Sequence, residues 1–331
     1  MRTGIIRFVF RKSLLIAVGL GLLYVLVPVG YYSLPDPVRA LVRRQFPDFD
    51  RTMVRTGYQT LRDWDDLALI GCDAEVKMDQ WYGEESLYAG RPLQTGDHSA
   101  PLKILLNEGF IVGYSDELLN PLWVAYRIFD VPTLESEDRP GNFSTDRRTL
   151  ARVSHDDYTS SGYDRGHMAP SYGIATRYGR EAQLETFQMT NVIPQTPSIN
   201  RQLWKDLEMR VAEKYGLFFS DVWVITGPVF EGEIETMASG VPIPTAYYKI
   251  MVDEHKGKLR ALAFLVSKDS PDFTRIRKCL VSIDEVEELT QLDFFPELPD
   301  EMEKELESEK PSRLWPWVGP SFAYRRTGKT Y

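Results

Sequence analysis

The stretch Tyr163-Asp164-Arg165-Gly166-His167-Met168-Ala169-Pro170 sets a carboxylate, a guanidinium, a glycine and an imidazole side by side. Phosphodiester hydrolysis asks for such groups. It needs a base of near-neutral pKa to take a proton from water, a cation on the developing charge, and a metal near the leaving oxygen. His167 can supply the first and Arg165 the second, with Gly166 permitting a backbone turn that presents both. A plainer reading stands beside this one: Asp164 pairs with Arg165 in a loop, and His167 packs against Tyr163. For an isolated D-R-G-H the plainer reading carries more weight.

Downstream, after Pro197, Ile199, Leu203, Leu207, Val211 and Tyr215 recur at every fourth residue, and Gly216 follows. This pattern predicts an amphipathic helix. Asn200, Trp204 and Glu208 lie beside the apolar stripe. At 1.5 Å rise per residue, Asn200 and Glu208 stand ~12 Å apart along the axis, so they can flank one site without both touching one ion. Taken alone, Asn200 reads as a helix N-cap and Glu208 as part of a solvated face with Lys205. Trp204 and Tyr247 read as core.

Around these segments, the chain from about Cys72 to Phe295 reads as one mixed α/β domain. Phe110–Tyr114 and Leu122–Ile128 are strand-like runs, and Val222–Thr226 is another, expected to stop at Gly227-Pro228. Tyr247–Val252 and Leu259–Val266 predict a hairpin across the polar turn Asp253–Lys258. Ser282 with Glu285 forms a capping-box pattern opening a short helix to Leu289. Beyond Pro299 the charge-rich segment and the stretch Arg313–Tyr331 read as peripheral.

Composition sets the outer bounds. With 331 residues and 43 % apolar content, the chain can bury a core without disulfides. Only Cys72 and Cys279 are present, either a single bridge or two separate thiols, and no Cys/His cluster supports a structural zinc. The net charge of −9 argues mildly against a protein that coats itself in nucleic acid. It does not exclude a nuclease, which needs positive potential only where phosphates lie.

The N-terminus carries an address. Arg2, Arg7, Arg11 and Lys12 precede an uncharged run from Ser13 to Leu34. Roughly 20 apolar residues span a bilayer, and the basic flank places the N-terminus in the cytoplasm and the rest outside, periplasmic or extracytoplasmic. A cleaved signal peptide is the rival reading; the run is long for one and no A-x-A-like site follows. The expected organisation is a cytoplasmic stub and anchor over 1–34, a spacer over 35–71, a catalytic domain over 72–310 and a tail over 311–331.

The stretch Gly162–Glu208 resembles the DNA/RNA non-specific endonuclease family, the ββα-metal nucleases. The signature D-R-G-H-x-A-P stands complete at Asp164–Pro170. It is followed by Asn191-Val192-Ile193-Pro194-Gln195 and by Asn200-Arg201-Gln202-Leu203-Trp204-Lys205-Asp206-Leu207-Glu208. Further matches are Asn120–Tyr126 upstream, and Thr226–Phe230 and Pro244–Lys249 downstream. The resemblance implies an α+β ββα-metal (His-Me finger) nuclease domain on a central mixed or antiparallel sheet. It implies His167 as general base, and Asn200 as the one direct protein ligand of a largely hydrated Mg²⁺, or another divalent ion such as Mn²⁺. Glu208 would meet the metal through water, Arg165 would bind phosphate, and Asn191 would order the site and bear on substrate.

The same resemblance implies DNA and RNA substrates cut with little regard to sequence, and 5′-phosphate products; a homodimer is one candidate partner, with the oligomeric state left open. Arg127, Arg201 and Arg210 are candidates for additional substrate contacts. His98, His155 and His255 stand outside any motif and are assigned no chemistry. Two other functions fit the same residues: a catalytically silent binding protein, and a phosphodiesterase for another envelope phosphodiester.

Overall fold

Side chains alternate along a strand, so Trp123 and Ala125 point to one face of Asn120–Phe129 while Val124 and Tyr126 point to the other. All four are buried, which is why this run is almost continuously apolar. The computed structural model describes residues 86–96, 101–131, 136–219, 221–255 and 257–316, with isolated positions at 27, 31, 34, 38, 42, 46, 49 and 53. The run 13–34 and the spacer 35–71 lie almost wholly outside the described residues, as do Cys72 and His98. Among the described residues no helix is long and apolar enough to cross a membrane.

The strands, in chain order, are β1 (Leu93–Gln94), β2 (Lys103–Asn107), β3 (Phe110–Ser115), β4 (Asn120–Phe129), β5 (Asp164–His167) and β6 (Val192–Gln195). They continue with β7 (Asp221–Val229), β8 (Ala246–His255), β9 (Lys258–Ser267), β10 (Leu280–Val281) and β11 (Leu292–Asp293). Seven of them form one antiparallel sheet in the order β10-β9-β8-β7-β4-β3-β2. The short hairpin β5–β6 is separate, as is the pair β1–β11. Helices α1 (Ser171–Tyr178) and α2 (Arg180–Glu185) lie between β5 and β6, and a long helix α3 runs over 199–218. Helices α4 (Ile283–Thr290) and α5 (Asp300–Ser308) come last.

The sheet separates two cores. Val124, Tyr126, Tyr247, Met251 and Phe264 pack against the hairpin and α3 on one side. Trp123, Ala125, Tyr248 and Ile250 pack against α4, α5 and Phe294 on the other. The chemistry-bearing motif therefore sits on the first side, and the late acidic helices on the second.

Helix α3 departs from the expected α-helix. Ile199–Trp204 and Val211–Tyr215 are π-helical, with α-helical turns at Lys205–Arg210 and Gly216–Phe218. The sequence shows why. In an ideal α-helix a strict fourth-residue repeat drifts by about 40° per step and soon leaves the core. An i→i+5 turn takes more residues to close, so the repeat stays aligned. Ile199, Leu203, Leu207, Val211 and Tyr215 are accordingly all buried.

Four other expectations meet the structure. The capping box forms: the Ser282 side chain accepts from the Glu285 N–H, and Glu285 accepts from the Ser282 N–H at 2.7 Å. Strand β7 does not stop at Gly227-Pro228 but pairs through both with Tyr248 and Tyr247. Its pairing with β4 ends at Thr226, so the missing Pro228 N–H faces an unpaired edge. The hairpin turn is also tighter than expected, because Asp253 pairs with Arg260 inside the strands and only residues 256–257 remain for the turn. Finally, the start of the closing stretch packs on the core: Trp315 is buried, with its ring 5.2 Å from Tyr215 and 5.6 Å from Phe219, while residues 317–331 lie outside the described residues.

One close approach inside the sheet generates a prediction. A methyl group on Gly113 would lie 2.2 Å from the indole of Trp123, its cross-strand partner, which is fully buried and has nowhere to move. Gly113→Ala should lower unfolding stability by about 1–3 kcal/mol, read as a lower urea midpoint; an unchanged midpoint would show that this packing yields freely.

Candidate active site

Strand β5 carries the motif and is held by β6, with Asp164 opposite Gln195 and His167 opposite Val192. Gly166 is an ordinary strand residue rather than the expected turn. A Cβ there would stand 2.2 Å from the buried Gln195 Oε1, so the glycine is needed for space. Asn191 fastens the end of the strand. Its Oδ1 accepts from the Ala169 N–H at 2.8 Å, its Nδ2 donates to the Ala169 and Thr186 carbonyls, and its own carbonyl accepts from Met168. The side-chain amide is buried and bonds the backbone through both its oxygen and its nitrogen, which fixes the end of the strand.

Asp164 does not form the loop pair with Arg165 that the plainer reading supposed. Its Oδ2 accepts from Asn200 Nδ2 at 2.9 Å, and it takes a two-pronged contact from Arg201 at 2.7 and 2.8 Å. Burial acts to raise this carboxyl, but the Arg201 and Asn200 hydrogen bonds hold it below the usual range. Arg165, on the other face of the strand, donates to the His155 carbonyl at 2.6 Å and to Thr159 Oγ1 at 3.0 Å. His155 is thus part of the scaffold, its Nδ1 accepting from the Phe143 N–H at 3.3 Å.

His167 is buried between two rings, Phe143 at 5.0 Å and Phe187 at 4.9 Å. Its carbonyl accepts from the Trp204 indole N–H at 3.3 Å, and its Nε2 is buried with no hydrogen-bond partner. Burial, and then the charge of Arg139, bring the imidazole down to about 3, so the ring is neutral at ordinary pH. A neutral imidazole with an unused nitrogen is the state a general base requires.

Glu208 and Asn200 approach from α3. In pure α-helix eight residues overshoot two turns by about 80°, but the π-helical turn at the start slows the rotation and brings Glu208 back toward the face of Asn200. Because Asn200 spends its amino group on Asp164, its amide oxygen is turned free for a cation. Burial raises the Glu208 carboxyl, while the charges of Lys249, Arg139 and Lys205 draw it back. Lys249 is fully buried in β8, donating to the Tyr126 hydroxyl at 3.2 Å and lying 4.6 Å over the Trp204 ring. Burial lowers its ammonium, and Glu208 opposes that.

An amide oxygen and a carboxylate on one helix are oxygen donors of the kind that suit a hard ion such as Mg²⁺. The donors therefore fit the ion implied by the sequence. Arg139 and Lys249 are two site residues that sequence reading missed. Arg139 sits in a turn-like Arg139-Pro140-Gly141 loop with no local signal, and only the packing of Phe143 on His167 brings it in. Lys249 had one signal, a charge at an inward position of an apolar strand. Of the candidate arginines, Arg201 is at the site on Asp164. Arg127 is elsewhere, pairing with Asp221 at 2.6 Å and stacking on Trp223. Arg210 lies by Tyr215, where its charge acts against the upward shift that burial imposes on the hydroxyl.

An antiparallel hairpin carrying a buried histidine, followed by a helix offering an amide and a carboxylate, defines an α+β domain of the strand–strand–helix type. The family model for DNA/RNA non-specific endonucleases matches residues 94–301, and the chain belongs to that family. Among its relatives, mitochondrial nuclease EXOG of Xenopus laevis is 29 % identical over 208 residues, covering 56 % of each chain. The match thus spans little more than half of that relative's length. Nuclease C1 of Cunninghamella echinulata var. echinulata is 30 % identical over 225 residues, covering 62 % of this chain and 88 % of its own. The fold is similar to a crystal structure of an EndoG/EndoGI complex, with TM-score 0.57 at 25 % identity, covering 70 % of this chain and 96 % of that one.

The buried ammonium gives a stability prediction. Lys249 and Glu208 interact as charges without a direct ion pair, and removing the ammonium leaves the largely buried Glu208 carboxylate without its largest compensating charge. Lys249→Met should therefore unfold at lower denaturant, and adding Glu208→Gln should recover much of the loss. A double variant no better than the single would show that the two charges are not coupled.

Proposed function

We propose that this chain is a metal-dependent endonuclease that hydrolyses phosphodiester bonds of DNA and RNA with little sequence preference. The observation that carries the reading is the buried, neutral His167 with its Nε2 unused, beside an Asn200 oriented by Asp164. In this reading Nε2 of His167 takes a proton from water, which attacks phosphorus in line with the departing 3′ oxygen. Phe143 and Phe187 keep bulk water from the ring. Arg165 and Arg139 offset charge on the non-bridging oxygens, where charge-assisted contacts are strongest. Asn200 would hold Mg²⁺ or Mn²⁺ directly and Glu208 through water; the bound ion supplies charge stabilisation at the phosphate and the leaving oxygen. None of these groups reads a base edge, so sequence preference is slight.

The direct test is plasmid nicking with and without Mg²⁺. His167→Ala should fold normally and lose roughly 10²–10⁴-fold in rate; near-native cleavage would remove His167 from its role. Loss of a ligand's outer-shell partner costs about 10–100-fold in metal affinity or activity. Glu208→Ala should therefore be partly rescued by raising Mg²⁺, whereas Asn200→Ala should not. A Glu208 variant dead at every Mg²⁺ concentration beside a mild Asn200 variant would exchange the two roles.

The location of the domain is a separate proposal. The basic residues Arg2, Arg7, Arg11 and Lys12 ahead of the uncharged run support a single-pass anchor with the catalytic domain on the outer side. Protease added outside intact cells or spheroplasts should digest the domain. Full protection of the domain with an accessible N-terminus would reverse the orientation.

A further inference from the structure

The acidic surplus late in the chain is not spread evenly. Asp284 and Glu287 stand on α4, Glu307 meets them from the last turn of α5, and their carboxylate oxygens all lie within 4.8 Å of one another. The cluster is on the opposite face of the seven-stranded sheet from His167, where α4 and α5 pack. Glu307 is the telling member. It is only 6 % exposed, and its Oε1 is buried with no hydrogen-bond partner. Glu287 spends one oxygen on the Phe294 N–H at 2.7 Å. Among the described residues no lysine or arginine forms an ion pair with any of the three, and nearby Lys310 pairs instead with Glu285 at 2.9 Å.

Bare, this arrangement is poorly balanced. Glu303 and Glu307 are like charges four residues apart on one helix, and Glu307 lies at the negative end of that helix. Burial, with the charges of the surrounding carboxylates, pushes Glu307 up to about 9 and Glu287 up to about 7. The helix also has few other anchors: Leu306 reaches the core, while Met302 is 46 % exposed.

We propose that Asp284, Glu287 and Glu307 form a Ca²⁺ site that fastens α5 to α4, separate from the ion at Asn200. Three carboxylates and no nitrogen or sulfur donor suit a hard cation. Oxygens at 2.3–2.6 Å from Ca²⁺ stand about 4.6–5.2 Å apart across the ion, so the cluster is already of the right size. Mg²⁺ uses one or two carboxylates and keeps its waters, whereas Ca²⁺ accepts six to eight oxygens in flexible geometry. The buried, unpartnered oxygen of Glu307 gains a partner, and the like charges gain a counter-ion.

The test is thermal unfolding of the full chain after chelator treatment, titrated with Ca²⁺ alone. The midpoint should rise by ~5–10 °C at a hundred-fold excess over the dissociation constant. The shift should persist in Asn200→Ala and vanish in Glu307→Gln. Asp284 is exposed, so Asp284→Asn should fold whatever Glu307→Gln does, and it should also abolish or strongly weaken the shift. No Ca²⁺-dependent shift in the parent would overturn the proposal. So would a shift that survives both carboxylate variants, or one that disappears in Asn200→Ala.

Discussion

Trp204 is the residue through which the parts of the active site are held in register. Its indole N–H reaches the His167 carbonyl at 3.3 Å, its ring face lies 4.6 Å from the Lys249 ammonium, and its edge meets Tyr247 at 6.0 Å. One fully buried side chain thus touches the hairpin, the central sheet and, through its own backbone, α3. A desolvated ammonium over a tryptophan face contributes about 2 kcal/mol or more, which helps offset the burial of Lys249. Asn200 stands four residues before Trp204 and Glu208 four after it. Any movement of the ring would carry both away from His167 together. His167 and the two polar groups of α3 are therefore tied through one side chain.

The electrostatics of the site are set by burial in two opposite senses. Desolvation lowers both the His167 imidazolium and the Lys249 ammonium; the Glu208 charge opposes this at Lys249, whereas at His167 the Arg139 charge adds to it. Arg139 lowers His167 further while drawing Glu208 down. A base works best when its pKa lies near the working pH, so the empty pocket holds His167 below its useful range. A phosphodiester brings negative charge to that pocket, which acts in the opposite direction. On the proposed reading, a bound phosphodiester would give the arginines around the ring an anion to face and would raise the imidazole.

Much of this was legible from residues alone, for reasons that differ by element. The strands around Val112, Val124 and Val224 show in the sequence because burial on both faces leaves continuous apolar runs. The Ser282 capping box is legible because it is wholly local. Helix α3 was visible as a helix, yet its fourth-residue repeat already encoded the π-helical turns, which an assumption of α geometry hid. Arg139 and the ordering role of Asn191 were not readable in this way. Both depend on contacts with residues far along the chain, and no local pattern records those. The plainer pairing of Asp164 with Arg165 failed for a simple geometric reason: adjacent residues on a strand point to opposite faces, so Asp164 was free to meet Asn200 and Arg201.

The net charge of −9 is reconciled with a phosphate-binding site by the layering of the fold. Glu285, Glu287, Glu288, Glu301, Glu303 and Glu307 belong to α4 and α5, on the far side of the seven-stranded sheet from the D-R-G-H hairpin. Exposed charges more than a Debye length apart, about 8 Å at physiological salt, are largely screened from one another. On the near side Arg139, Arg165, Arg201, Lys205 and Lys249 gather within reach of His167 and Asp164. The sheet therefore lets one domain be acidic as a whole and basic where a phosphodiester would lie. On the proposed reading, a substrate polyanion would meet the basic face without crossing the acidic one, and its orientation on approach would follow from that asymmetry rather than from total charge.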